Sequence, residues 1–140
     1  MIDLPVQSEQ KEQILNITDE VRKTVGDFKI PHGLAIVSIP HTTASLFLSE
    51  DDSELREDLL NAARGLLSHA RPFTHHRNNN PNAEAHIMSS LFGSRIVIPV
   101  VDNELKLGPY QNIFFLELDG PKRRSVEIFL YPPPSDSPEP

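Results

Sequence analysis

Asn112-Ile113-Phe114-Phe115-Leu116-Glu117-Leu118 is the stretch that decides the architecture. Its aromatic and branched residues read as a β-strand. Successive side chains of a strand alternate in direction, so Phe114, Leu116 and Leu118 share one side while Ile113 and Phe115 share the other. A sheet wetted on one face would alternate apolar with polar. Here both faces are apolar, which predicts either a sandwich layer covered on both sides or a face packed on another subunit.

Outward from this strand the chain reads as mixed α and β. Val126–Tyr131 follows as a closing strand, with Asp119-Gly120-Pro121 between the two as a predicted hairpin loop. Upstream, Ile96–Val101 is a β-branched run. Leu34–Ile39 is apolar on both faces and predicts a buried strand, and Ser45–Leu48 and Ile14–Ile17 are shorter strand candidates. Helices are expected from a Thr18 cap through Val21, Val25 and Phe28, and from Asp51, with Glu54 completing a capping box, through the stripe Leu55, Leu59, Ala62, Ala63 and Leu66. A third runs from an Asn82 cap to Gly93, with Ile87, Leu91 and Phe92 as its buried side. The expected organisation is a single mixed α and β domain over residues 1–131. Five of the thirteen prolines fall in residues 132–140, a segment without apolar side chains other than the proline rings, and this predicts a disordered tail.

Composition bounds the function. A chain of 140 residues without cysteine has no disulfide framework, thiolate zinc site, iron–sulfur cluster or cysteine nucleophile. Its net charge of −7 lacks the field that draws a domain onto nucleic acid or anionic lipid. No apolar run approaches the ~20 residues of a membrane span, and the start at Met1 lacks the pattern of a signal peptide. The expectation is a cytoplasmic protein. There is no P-loop, dinucleotide fingerprint or nucleophile elbow.

Histidines and carboxylates are left to carry chemistry. His41 follows Pro40 at the end of a buried strand and precedes Thr42 and Thr43. It reads either as a ligand or acid–base group in a cleft, or as a ring satisfied by a carbonyl or threonine. His75, His76 and His86 bracket the polar loop Arg77–Asn82. A loop histidine and a helix histidine can converge on one ion, but the spacing matches no compact zinc motif, and a solvated His-Asn loop is the plainer reading. Glu50, at a strand-to-helix junction, is either a general base or support for a histidine, or an exposed acid. Lys122-Arg123-Arg124 suits phosphate, or else a charged hairpin tip. His32 and His69 read as structural or solvated.

Four blocks, Ile39–Ser45, Asn82–Ile87, Leu107–Ile113 and Glu117–Arg124, resemble in order and spacing those of the YjbQ family, small proteins described as secondary thiamin-phosphate synthases. The resemblance implies a compact α+β domain with a mostly antiparallel sandwich or barrel-like core and two or three helices, and a homotrimer with sites near subunit boundaries. Carried over position by position, the family's histidines fall on His41, His75 and His86, and the acid after the first block falls on Glu50. It thereby implies a small phosphorylated substrate and a metal-assisted reaction, with zinc first and magnesium second as the divalent ion on the three histidines. Catalytic roles would fall to His41, Glu50 and His86, and substrate contacts to Thr42, Thr43, Tyr110, Arg123 and Arg124. A non-catalytic trimer binding a metal or small ligand is the alternative. This chain has Gly108-Pro109-Tyr110-Gln111 where the family usually has Gly-Thr-Trp-Gln, and Glu84 where it often has Asp. Tyrosine can still stack on a flat ring, with less area than tryptophan.

Overall fold

A computed structural model describes residues 1–75 and 82–133. His76, the loop to Pro81 and residues 134–140 of the Pro-rich tail lie outside the described residues. The strands are β1 (Ile2–Gln7), β2 (Gln13–Asn16), β3 (His32–Ser38), β4 (Ala44–Ser49), β5 (Arg95–Val101), β6 (Glu104–Leu105), β7 (Asn112–Glu117) and β8 (Arg123–Tyr131). The helices are α1 (Thr18–Asp27), α2 (Ser53–Leu67) and α3 (Ala83–Phe92), with a 3-10 turn at Ser68–Ala70. All strand pairs are antiparallel. They form a five-stranded sheet in the order β1-β8-β3-β5-β6 and a three-stranded sheet in the order β2-β7-β4. The fold is the expected α+β domain.

The Asn112–Leu118 strand is covered on both faces within one chain. Ile113 and Phe115 join a core with Ala35, Val37, Ile98, Val126 and Ile128 from the five-stranded sheet and with Val21 and Val25 from α1. Phe114, Leu116 and Leu118 join a second core with Ala63, Leu67, Ala85 and Met88 from α2 and α3. Of the two explanations for its apolar faces, the sandwich layer applies. The uncovered apolar surface lies elsewhere, on the outer face of the five-stranded sheet. Leu34, Val97, Val101, Phe129 and Tyr131 are exposed there, with Leu34 opposite Tyr131 and Ile36 opposite both Phe129 and Val97. The Leu34–Ile39 stretch is thus buried on one face only.

Several local expectations shift. Asp52, not Asp51, caps α2, accepting from the Leu55 N–H at 2.8 Å. Asp51 instead pairs with Arg56 and accepts from Asn16 Nδ2 at 3.0 Å. Those bonds, led by that from Asn16, hold its carboxyl below the usual range against the cost of desolvation. Thr18 is the first residue of α1 rather than its cap, because its hydroxyl donates to Asn16 Oδ1 and accepts from the Ile113 N–H. Asn82 occupies the cap position of α3 without a capping bond and donates to Asp119 Oδ2 at 3.3 Å. α3 buries its small residues Ala83, Ala85 and Ser89 with Met88, leaving Leu91 exposed, and α2 buries Ala63 and Leu67, leaving Leu66 exposed. Nor is Asp119-Gly120-Pro121 a hairpin loop, since β7 and β8 belong to different sheets. It carries the chain from one sheet to the other. Gly120 is required there: a Cβ would collide with Gln10 O and lie 2.7 Å from Ser8 Oγ.

Candidate functional site

β3 ends at Ser38 and β4 begins at Ala44, so the Ile39–Thr43 connection crosses from one sheet to the other with His41 in its middle. Three bonds stitch the end of α3 and the two residues after it to this crossing and to the start of β4. Ser89 Oγ donates to Ala44 O at 2.6 Å, Ser45 Oγ to Gly93 O at 2.5 Å, and the Ile39 N–H to Ser94 O at 3.0 Å. The helix is thereby held where His86 meets the crossing. His41, Thr42, His86, Ser90, Gly93 and Ser94 line a cleft of about 340 Å³. His75 stands against His86 edge to face, the ring centroids 5.1 Å apart.

His41 is half-buried, and its Nε2 accepts the Ser125 N–H at 3.0 Å. Burial of the ring, then the positive charge of Arg124, holds its pKa below the ordinary histidine value, with Glu117 and Glu127 offsetting part of the shift. Behind it lies a buried ion pair. Glu117 is 0% and Arg124 6% exposed. Arg124 Nε donates to Glu117 Oε1 at 2.9 Å and its Nη2 to Glu117 Oε2, so the pair is bidentate. The same Nη2 reaches Thr43 Oγ1 at 3.0 Å and Thr43 O at 3.3 Å. Ser8 Oγ donates to Glu117 Oε1 at 2.6 Å, and the N–H groups of Leu118 and Asp119 donate to Oε2 at 3.1 Å. Desolvation pushes the Glu117 carboxyl up, but Arg124, Ser8 and the Asp119 amide outweigh it and hold the pKa below the ordinary value.

The sequence-expected site residues fall into two groups. His41, Thr42, His75 and His86 gather at the cleft. Thr43 and Arg124 lie behind it with their polar groups turned to each other, and Arg123 is exposed at the start of β8. Glu50 and Tyr110 are elsewhere. β4 pairs Ala44 with Glu117 at one end and Ser49 with Asn112 at the other. Glu50 and Tyr110 adjoin that second end, both exposed, separated from His41 by the length of a six-residue strand, roughly 20 Å at ~3.3 Å per residue.

Two imidazoles, those of His75 and His86, are close enough to share an ion. His41 does not complete the set as it stands, because a neutral imidazole has one lone pair for a bond in its plane and Nε2 already offers it to the Ser125 N–H. Among the described residues no three His, Asp or Glu side chains are grouped to hold a metal ion. No helix among them is long and apolar enough to cross a membrane.

The residue that sequence reasoning passed over is Glu117. Its signal was present: a carboxylate following the run Ile113–Leu116, apolar on both faces, and preceding Leu118 needs a buried cation, and Arg124 follows seven positions later.

A family model described as "UPF0047 protein YjbQ-like" matches residues 2–132. A UPF0047 protein of Archaeoglobus fulgidus is 36% identical over 127 residues, covering 91% of this chain and 98% of its own. The UPF0047 protein YugU of Bacillus subtilis is 30% identical, covering 89% and 94%. Among solved structures, a YjbQ/UPF0047 family protein of Clostridium acetobutylicum superposes with a TM-score of 0.85 at 32% identity, covering 93% of this chain and 99% of that one. A protein of unknown function from Sulfolobus solfataricus gives 0.84 at 30% identity, covering 91% and 92%. Matched along nearly its whole described length in sequence and in fold, this chain belongs to the YjbQ/UPF0047 family.

Proposed function

We propose that the cleft between His41 and His86 binds a small phosphorylated substrate and supports a slow reaction of the thiamin-phosphate synthase type. In that reaction a thiazole phosphate nitrogen attacks the methylene carbon of a pyrimidine diphosphate, the carbon–oxygen bond breaks, and pyrophosphate leaves. The observation that carries the reading is the meeting of His75, from the segment after α2, with His86 on α3, beside His41 at the sheet crossing. Three imidazoles around one cleft suit diphosphate chemistry better than a structural role. Held by His75 and His86, a divalent ion, zinc or magnesium, would neutralise charge on the leaving diphosphate. The protein's own part is to hold the two reactants, exclude water and donate hydrogen bonds to the phosphoryl oxygens. The exposed Arg123 is available to the second phosphate, whereas Arg124 acts through Thr43.

Glu50 and Tyr110 enter this site only from another copy of the chain. The exposed Leu34, Val97, Val101, Phe129 and Tyr131 supply an apolar surface for such a contact, and a homotrimer is the assembly we propose. The distance of Glu50 from His41 favours the second reading, a trimer that binds a metal or small ligand without catalysis. The test is product formation from the two purified precursors with magnesium or zinc, comparing wild type with His41→Ala and His86→Ala. Turnover lost in both variants supports the synthase. Equal rates in all three proteins assign the activity to a contaminant and leave the binding protein.

A further inference from the structure

We infer that His41 is a fixed hydrogen-bond donor, presenting Nδ1–H to an oxygen of the bound anionic group, rather than a ligand of an ion. The identity of that group rests on the phosphorylated-ligand reading above; the donor rests on the sheet. β3 and β8 pair Leu34 with Tyr131, Ile36 with Phe129 and Ser38 with Glu127. Two more residues in the same register would place position 40 opposite Ser125. The chain leaves the ladder after Ser38, so the Ser125 N–H loses the backbone acceptor that a longer β3 would have given it. His41 Nε2 takes that place at 3.0 Å.

A backbone N–H can only donate, so Nε2 must present its lone pair, and the proton of the neutral ring then sits on Nδ1. Nδ1 has no hydrogen-bond partner among the described residues, and His41 is part of the cleft wall. Both sides of the Nε2 contact are tied to one buried pair. Arg124 precedes Ser125 directly, and its guanidinium, gripped by Glu117, also grips Thr43, two residues beyond His41. The backbone on each side of the contact is therefore held by an ion pair excluded from water, and turning the ring would give up the bond to the Ser125 N–H. Thr42, exposed beside it, adds a hydroxyl to the same wall.

Long-range proton–nitrogen spectra of histidine-labelled protein read the tautomer directly, and calorimetry with inorganic pyrophosphate on metal-stripped protein reads the donor. The wild type should show His41 protonated at Nδ1. His41→Ala should weaken pyrophosphate by about tenfold or more, the size of one hydrogen bond to a charged group. His41→Asn, which keeps an N–H near the Nδ1 position, should stay within about threefold of wild type, whereas His41→Gln, which moves it toward Nε2, should resemble alanine. Unchanged amide spectra in the three variants control for folding. An Nε2-protonated ring, wild-type pyrophosphate binding in His41→Ala, or loss of a stoichiometric zinc ion in that variant would each overturn the inference while leaving the phosphorylated-ligand reading intact. Failure of the wild type to bind pyrophosphate would remove that reading, and this inference with it.

Discussion

Glu117 and Arg124 form an ion pair with both charges out of water at the point where the chain passes from the three-stranded to the five-stranded sheet. The Glu117 oxygens also accept from Ser8 and two backbone amides, and Arg124 Nη2 also donates to Thr43. A buried pair of this kind adds little over apolar residues of the same shape, but removing one partner strands the other. Glu117→Gln or Arg124→Met should each cost about 3–5 kcal/mol in urea denaturation. The double variant should cost less than the sum of the two.

The same pair sets an acid limit. Glu117 holds its proton less readily folded than unfolded, so its contribution to stability is complete above the ordinary glutamate value of about 4.3. As pH falls below that value the unfolded chain takes up the proton first, and the contribution is lost as pH drops through the folded pKa. Melting temperature followed downward from pH 5 should fall more steeply in wild type than in Glu117→Gln.

Light scattering at micromolar concentration should report three times 15.7 kDa. Phe129→Glu, on the outer face of β8, should yield monomers with an unchanged circular dichroism spectrum, because its neighbours Ile128 and Leu130 alone face the core. A wild-type monomer at that concentration would remove the shared site.

If Glu50 serves the cleft of a neighbouring copy, Glu50→Gln should abolish most turnover with little change in melting temperature. Mixing that variant with His41→Ala, after dissociation and reassembly, should restore a measurable fraction of activity, since some assemblies then hold one intact boundary. Absence of any recovery would place Glu50 outside the site.

Elemental analysis of protein loaded with zinc should find one ion per chain in wild type and in His41→Ala, and none in His75→Ala or His86→Ala. Zinc bound equally well by all four proteins would detach the ion from this cleft.

Much of the fold was legible in the chain itself. The alternating faces of Ile113–Leu118 separate the same residues that the two cores separate. β1 escaped notice because Pro5 interrupts its pattern, yet Ile2, Leu4 and Val6 alternate correctly, and an edge strand tolerates the proline. Leu66 and Leu91 misled for a different reason: helical spacing marks a stripe, but which edge of the stripe is buried depends on the sheet beneath it. At the site, motif order pointed to His41, His75 and His86, whereas the separation of Glu50 from His41 is a property of strand direction that no local spacing encodes. The lone-pair commitment of His41 was equally out of reach, since it depends on where β3 stops pairing with β8.

β7 lends one face to each core, so neither core has a wall of its own on that side. The helical layer cannot peel away without exposing Phe114 and Leu116, and the sheets cannot part without exposing Ile113 and Phe115. Local opening of either half therefore carries nearly the cost of opening both, and amide protons of β7 should exchange with solvent only through complete unfolding. The histidine cleft, anchored to α3 on one wall and to the sheet crossing on the other, inherits that all-or-none character: its two walls survive, or are lost, together.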